Sequence, residues 1–381
     1  MSEELVKKPC IVVVGGFLGS GKTTLIMAAA RLLERRGLRC AIVLNDQGVE
    51  LVDTRHAGMQ GMLAREVTGG CFCCRFSALI TEIEALRSFS PDVIFTEPVG
   101  SCTDISATVL GPLREDFDHY RVAPFTVLVN PARAAALLSE DADPDLGFLF
   151  KKQLQEADLV CISKSDLYLD AIEIPGVKTR RMSATTGKGV TEWLDEVLGG
   201  TLEGGRTTLD IDYARYAEAE AALAWLNLSF DFEPVLPIAP AQAVGPFLDG
   251  LDQAFTAAAI QVVHLKIFCS SPAGWLKAAI CANGEEPKVE GQLDASPASR
   301  HELLVNLRAK GGPAQVQKIV EGQLRQLPGK TLGLRLDCFS PAPPKPERRV
   351  ARTPAFPGVI SEVGSRSPST PASTSPTAQE R

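Results

Sequence analysis

Gly16-Phe17-Leu18-Gly19-Ser20-Gly21-Lys22-Thr23 decides the fold. It fits the pattern G-x-x-x-x-G-K-[ST], with the β-branched run Ile11 to Val14 before it and a helix-compatible run, Thr24 to Arg36, after it. Glycines at 16, 19 and 21 let successive backbone N–H groups curl around phosphate oxygens, and the helix N-terminus adds its partial positive charge. Lys22 would reach the β and γ oxygens and Thr23 would offer its hydroxyl to Mg²⁺, while Ser20 and Thr24 share the same turn. The plain alternative is a glycine-rich strand-to-helix turn with no ligand.

Outward from this loop, apolar runs at Cys40 to Leu44, Asp92 to Thr96, Phe125 to Val129, Leu159 to Ile162 and Lys178 to Met182 alternate with helical stretches. That alternation predicts an α/β fold over residues 1–205, a P-loop parallel sheet with helices on both faces. Polar groups cluster just after the C-terminal ends of these strands, where open α/β sheets place ligands. Residues 206–339 read instead as strand, helix, three strands, helix and strand, a smaller α+β domain of ferredoxin-like kind. From 340 to 381 the chain turns rich in Pro, Ser and Thr. Nine of its 26 prolines fall after Ser340, which predicts a disordered tail.

A length of 381 residues agrees with two domains and a tail. The 39 basic and 46 acidic side chains sum to −7, which argues against a general nucleic-acid or anionic-membrane surface. No apolar run reaches the roughly 18 to 20 residues of a membrane helix, and the first eight residues are charged and carry no leader pattern, so a cytoplasmic protein is expected. In such a compartment the ten cysteines are not a disulfide framework.

The base-reading segment separates nucleotides. Ser163-Lys164-Ser165-Asp166 follows a strand candidate and resembles the Asn-Lys-x-Asp element of GTPases, in which the Asp accepts from guanine N1 and N2 and the Lys stem covers the base. Adenine lacks those donors. Ser183 and Ala184, after the last strand candidate, resemble the Ser-Ala loop of the same proteins, and the two elements together favour GTP. Glu97, in Glu97-Pro98-Val99-Gly100, can join Thr23 in the Mg²⁺ shell or polarise the attacking water, and Gly100 can donate its N–H to a γ-phosphate. Asp46, in Asn45-Asp46-Gln47-Gly48, sits at the same edge and suits a switch loop. Lys22, Glu97 and Asp46 are thus the catalytic candidates, although acids are also ordinary turn residues.

Gly69-Gly70-Cys71-Phe72-Cys73-Cys74 places three thiols within four residues. Under reducing conditions this favours a metal or redox role, and thiolates suit Zn²⁺, Co²⁺ or Cu⁺. A fourth ligand would come from water, a carboxylate or a His. His56, fifteen positions earlier, is either that ligand or a core histidine. Four local cysteines are not present, which speaks against a closed structural zinc site. Three reduced thiols in a helix-capping turn would be the bland reading.

Taken together, the loop at 15–24, Asn-Asp-x-Gly at 45–48, Gly-Cys-Phe-Cys-Cys at 70–74, Glu-x-x-Gly at 97–100 and Ser-Lys-Ser-Asp at 163–166 resemble the CobW-like family of P-loop GTPases, relatives of HypB and UreG. The resemblance covers about the first 200 residues. It implies a GTP-hydrolysing metallochaperone with Mg²⁺ and a transition metal, Zn²⁺ or Co²⁺, on Cys71, Cys73 and Cys74, and with a metalloenzyme or corrinoid-related protein as client. A GTPase switch that regulates such a partner without delivering metal is the alternative, and homo-oligomerisation stays open. The chain departs from the family pattern in lacking a His-rich stretch, in Asn130 after the fourth strand and Ser163 at the base-reading position, and in the turn 97–104.

Overall fold

The structure, a computed structural model, describes residues 8–48, 51–170, 172, 174, 177–201, 204–205 and 207–350. In the first domain the chain runs β1 (Cys10–Gly16), α1 (Lys22–Arg35), β2 (Cys40–Asn45), α2 (Val52–Met59), β3 (Ala64–Val67), α3 (Phe76–Leu86) and β4 (Val93–Glu97). A π-helical turn, Ser106–Leu110, leads into α4 (Gly111–Asp116). Then come β5 (Arg121–Val122), β6 (Thr126–Val129), α5 (Pro131–Leu138), α6 (Pro144–Glu156), β7 (Leu159–Ile162), β8 (Thr179–Arg181), α7 (Val190–Leu198) and α8 (Tyr213–Ala221).

These strands form one parallel sheet in the order β3-β2-β4-β1-β6-β7-β8, with β5 beside the start of β1. The six expected strands are all present; β3 and β5, two short strands with little apolar content, were not expected. Alternation along β1 explains the layering. Ile11 and Val13 face an apolar layer with Leu79 and Ile83 of α3 and Leu149 and Phe150 of α6, whereas Val12 and Val14 face Leu25 and Ile26 of α1 and Trp193 of α7. Full burial of each such side chain contributes about 1.5–3 kcal/mol. The strand order reverses at β1, so the crevice at its C-terminal end is the ligand position of the sheet.

The second domain comprises β9 (Leu223–Pro234), α9 (Pro240–Ala257), β10 (Gln261–Ser271), β11 (Gly274–Ile280), β12 (Lys288–Gly291), β13 (His301–Lys310), α10 (Pro313–Leu324) and β14 (Gly329–Phe339). Its antiparallel sheet runs β12-β11-β10-β13-β9-β14. Four of these strands with two crossover helices reproduce the ferredoxin-like arrangement, and the β11–β12 hairpin extends one edge. Leu226, Leu228, Ile267, Val305 and Leu307 pack beneath α9 and α10. The alternate residues Trp225, Asn227, Lys266, Asn306 and Arg308 lie on the opposite face, which is pressed against the first domain.

Residues 340–350 depart from the expected disorder. They run extended along the first domain, where the Glu347 N–H donates to the Cys73 carbonyl (2.9 Å) and the Val350 N–H to the Ala107 carbonyl (2.8 Å). Arg348 pairs with Asp116 at 2.6 Å and Arg349 with Asp104 at 2.9 Å. Proline favours an extended backbone here, and the charged residues between the prolines find partners on the domain. Residues 351–381 of the expected tail and 1–7 of the expected first domain lie outside the described residues.

Candidate functional site

The turn after β1 carries the Gly16–Thr23 loop into α1. α1 has no side-chain cap and no acid in its first turn, so its N–H groups stay free for an anion. Lys22 Nζ donates to the Gly16 carbonyl at 3.0 Å and lies 3.7 Å from Glu97, while the Thr23 hydroxyl donates to Glu97 at 2.8 Å. Glu97 ends β4, the neighbour of β1, which is why the two meet. Burial raises the Glu97 carboxyl against the pull of Lys22, and burial lowers the Lys22 ammonium. Ser20 Oγ is buried without a hydrogen-bond partner, a donor left over in a loop built for oxygen ligands. Gly100 sits against this loop, where an added Cβ would come within 2.8 Å of Leu18 Cδ2 and 3.2 Å of the Leu18 nitrogen.

The second domain closes the other side. A cleft lies between Gly19, Lys22, Thr23, Asp46 and Glu97 on one wall and His264, Lys266, Lys277 and Arg308 on the other. Arg308 pairs with Asp46 and stacks 3.8 Å from the Trp225 ring; Lys266 and Lys277 both pair with Asp53. These bonds desolvate both partners, and the two lysines hold Asp53 well below the usual carboxylate range in spite of its burial. At Gly19, with φ +77°, an added Cβ would collide with Cys281 Sγ, so the backbone of the loop touches the side chain that follows β11.

The thiols occupy the loop between β3 and α3, inside the apolar layer opposite α1. Cys71 and Cys73 are buried with their sulfurs 2.7 Å apart, and Cys74 is half-buried with its sulfur 3.6 Å from Cys73. The Lys345 N–H donates to Cys74 Sγ at 3.1 Å. Cys102, from the turn after β4, is buried in the same apolar layer. Donation from the thiols of Cys102, Cys73 and Cys74 holds Cys71 well below the ordinary thiol range; burial and the shared Cys71 sulfur push Cys102 up. Next to Cys71, Glu220 accepts from the Ser101 hydroxyl at 2.6 Å and is pushed up to about 8 by burial and then by the Cys71 sulfur. Among the described residues, Cys71, Cys73 and Cys74 form a group able to hold an ion.

Thr23, Lys22, Glu97 and the glycines therefore gather as expected. Asp46 stands at the cleft rim, but its carboxylate is engaged by Arg308 and by the Gly48 N–H. Thr24 lines the same cleft. Lys164, with φ 54°, also lines the cleft, and Ser163 Oγ donates to the Val129 carbonyl. Asp166 is exposed nearby, and Ser183 and Ala184 follow β8, the strand adjacent to β7. Asn130 caps α5, a job that an Asn performs as well as an Asp, and its amide donates to the Gly19 carbonyl, which a carboxylate could not do. His56 does not reach the thiols: it faces Lys277, Glu290 and Trp275 at the domain boundary. Sequence reasoning missed Cys102 and the basic face of the second sheet. The charges alternating with apolar residues in β10, β11 and β13 were the available signal.

Residues 10–189 match the family described as CobW/HypB/UreG, nucleotide-binding domain. This stretch of the first domain is therefore similar to the CobW/HypB/UreG nucleotide-binding domain. Its relatives include the zinc chaperone YeiR of Escherichia coli K12, 31% identical over 40% of this chain and 45% of YeiR. The zinc chaperone CobW of a Sinorhizobium species is 29% identical over 46% of this chain and 56% of that protein. The chain spans about half the length of these relatives. A nickel complex of HypB from Helicobacter pylori aligns with 51% of this chain and 88% of that one at 18% identity and a TM-score of 0.39. Among the described residues no helix is long and apolar enough to cross a membrane.

Proposed function

We propose that this CobW-like protein is a cytoplasmic GTP-hydrolysing metallochaperone that carries a transition metal, zinc or cobalt, on its cysteine cluster and yields it to a metalloenzyme client under nucleotide control. The observation that carries the reading is the short connection between the two centres. The Asn45 carboxamide, at the end of β2, donates to the Val67 and Gly70 carbonyls and accepts from the Phe72 N–H, so the nucleotide-side loop and the thiol loop share one side chain. The turn from Glu97 to Cys102 is a second link. Ordering Asp46, Glu97 and Gly100 around a γ-phosphate would then shift the thiols, and by reciprocity bound metal would tighten GTP.

In the hydrolytic step Lys22 balances phosphate charge, the Gly100 N–H meets the γ-phosphate, and Glu97 orients the attacking water. Thr23 and Glu97, two hard oxygen donors 2.8 Å apart, suit Mg²⁺, which would neutralise charge on the phosphates. Ser163, Lys164, Asp166, Ser183 and Ala184 take the guanine. Asp46 acts less as a catalytic acid than as the tether to Arg308.

The test is a competition titration of Zn²⁺ and Co²⁺ in the presence of GTP, a non-hydrolysable analogue or GDP, repeated on a Cys71/Cys73/Cys74→Ser variant. Affinity that needs the thiols and rises with the triphosphate is expected. Equal affinity in all nucleotide states would leave a partner-regulating GTPase switch in its place.

A further inference from the structure

We propose that Lys266, from the second sheet, is a phosphate ligand: it leaves Asp53 when GTP binds and takes the γ-phosphate, so that the second domain completes the triphosphate site. This rests on the GTP-binding reading above and adds to it a residue that tells GTP from GDP.

Strand register places the residue. Cys281, just past β11, is the side chain against which a Cβ added at Gly19 would collide, so this end of the second sheet touches the phosphate loop. Two residues back along β11, Ala279 pairs with Lys266 of β10. Residues two apart on a strand, and residues paired across strands, share a face, so Lys266 and Cys281 are on the same side of the sheet. At about 3.4 Å per residue, the Lys266 row stands about 7 Å from the row that meets the loop, a gap that a flexible four-carbon stem can span. Lys266 accordingly lines the cleft that Lys22, Thr23 and Glu97 line from the other wall. The loop backbone cradles the inner phosphates and Lys22 reaches the β and γ oxygens from below, which leaves the outer γ oxygens for a donor on the opposite wall.

Three cations of the second sheet face the first domain, and their bonds decide which of them can move. Arg308 donates to the Leu226 and Leu307 carbonyls at 3.2 and 2.8 Å, stacks on Trp225 and has a side chain only 4% exposed. Lys277 lies 3.3 Å from Asp53 Oδ1 and 3.4 Å from His56 Nδ1, at 8% exposure. Lys266 is the most open of the three at 18%, and among the described residues its ammonium is bonded to Asp53 Oδ2 alone. One carboxylate thus serves two ammonium groups, which leaves a positive charge in excess at the cleft. When Lys266 departs, Asp53 keeps Lys277, so no buried charge is stranded and the exchange avoids the usual penalty for breaking a buried pair. A γ-phosphate offers Lys266 more charge than its half-share of a carboxylate.

The experiment measures equilibrium binding of GDP and of a non-hydrolysable GTP analogue, each with Mg²⁺, to the full chain and to Lys266→Met, which keeps the stem and removes the charge. Affinity for the triphosphate should fall at least about tenfold and that for GDP less than about threefold, with Lys266→Arg recovering most of the loss. A second measurement needs no substitution. In the wild-type chain, acetylation of Lys266 mapped by mass spectrometry should be at least about threefold slower with the analogue than with GDP, while Lys151, exposed on α6, reacts alike in both. Equal losses for the two nucleotides in Lys266→Met, no loss at all, or equal acetylation of Lys266 in both states overturns the phosphate role and leaves the GTP-binding reading intact. A wild-type chain that binds neither nucleotide overturns both.

Discussion

At the scale of single residues, Glu97 joins the phosphate loop to the turn after β4. Its carboxylate accepts from Thr23, faces Lys22 and opens the turn that ends in Cys102. Removing its charge without its shape separates binding from turnover. Glu97→Gln is expected to lower the GTP hydrolysis rate about 10²–10⁴-fold while GTP affinity changes only a few-fold, read by single-turnover hydrolysis and equilibrium binding. A comparable loss in both would mean that the residue serves binding alone. The phosphate-loop residues are legible in the sequence alone, since backbone geometry ties G-x-x-x-x-G-K-[ST] to one chemistry. The position of the thiols is not: only the sheet order β3-β2-β4 sets the loop that carries Cys71 beside the turn that follows Glu97.

At the scale of elements, the segment 340–350 is the least expected. Its composition predicts disorder, yet its backbone donates to Cys74 Sγ and to the Cys73 carbonyl, and Glu347 takes both the N–H and the hydroxyl of Ser77 at the start of α3 at 2.7 Å. Low hydrophobicity says that a segment cannot build a core; it says nothing about whether a finished domain offers it partners. Pro341 and Pro344 are buried and Val350 lies against Gly111, and at Lys345 the strap holds the Cys74 sulfur. A chain ending at Ser340 is expected to keep its melting temperature within a few degrees and to lose about tenfold in zinc affinity, measured by competition with a chromophoric chelator. Unaltered affinity would show that the strap does not support the thiol. The strands and helices themselves followed from periodicity, while β3 and β12, four residues each with little apolar content, gave none to read.

For the whole molecule, the boundary between the domains is polar and buried, which binary patterning misreads. Lys266, Lys277 and Arg308 alternate with apolar residues and so predict a solvated sheet face. Instead they meet Asp46 and Asp53, because the acidic loops of one domain and the basic face of the other neutralise each other. His56 lies in this boundary with Lys277, Glu290, Asp53 and Arg31 about it, and burial followed by the Lys277 charge lowers its pKa to about 4. A pKa lowered in the folded state means that the unfolded chain binds the proton first. The His56 contribution is therefore complete above about 6.5 and is lost as pH falls toward 4. Thermal unfolding should show stability declining through that window, and His56→Gln should flatten the decline. An identical pH profile in the variant would place the sensitivity elsewhere.

The run from Glu97 to Cys102 has a consequence for how such a protein can vary. Five peptide steps span about 18 Å even when straight, and this run is folded back by the bond from the Cys102 N–H to the Val99 carbonyl. A connection with so little slack cannot let its ends drift independently. On the proposed reading, lengthening this turn would loosen the tie between the phosphate loop and the layer that holds the thiols while leaving both ends untouched.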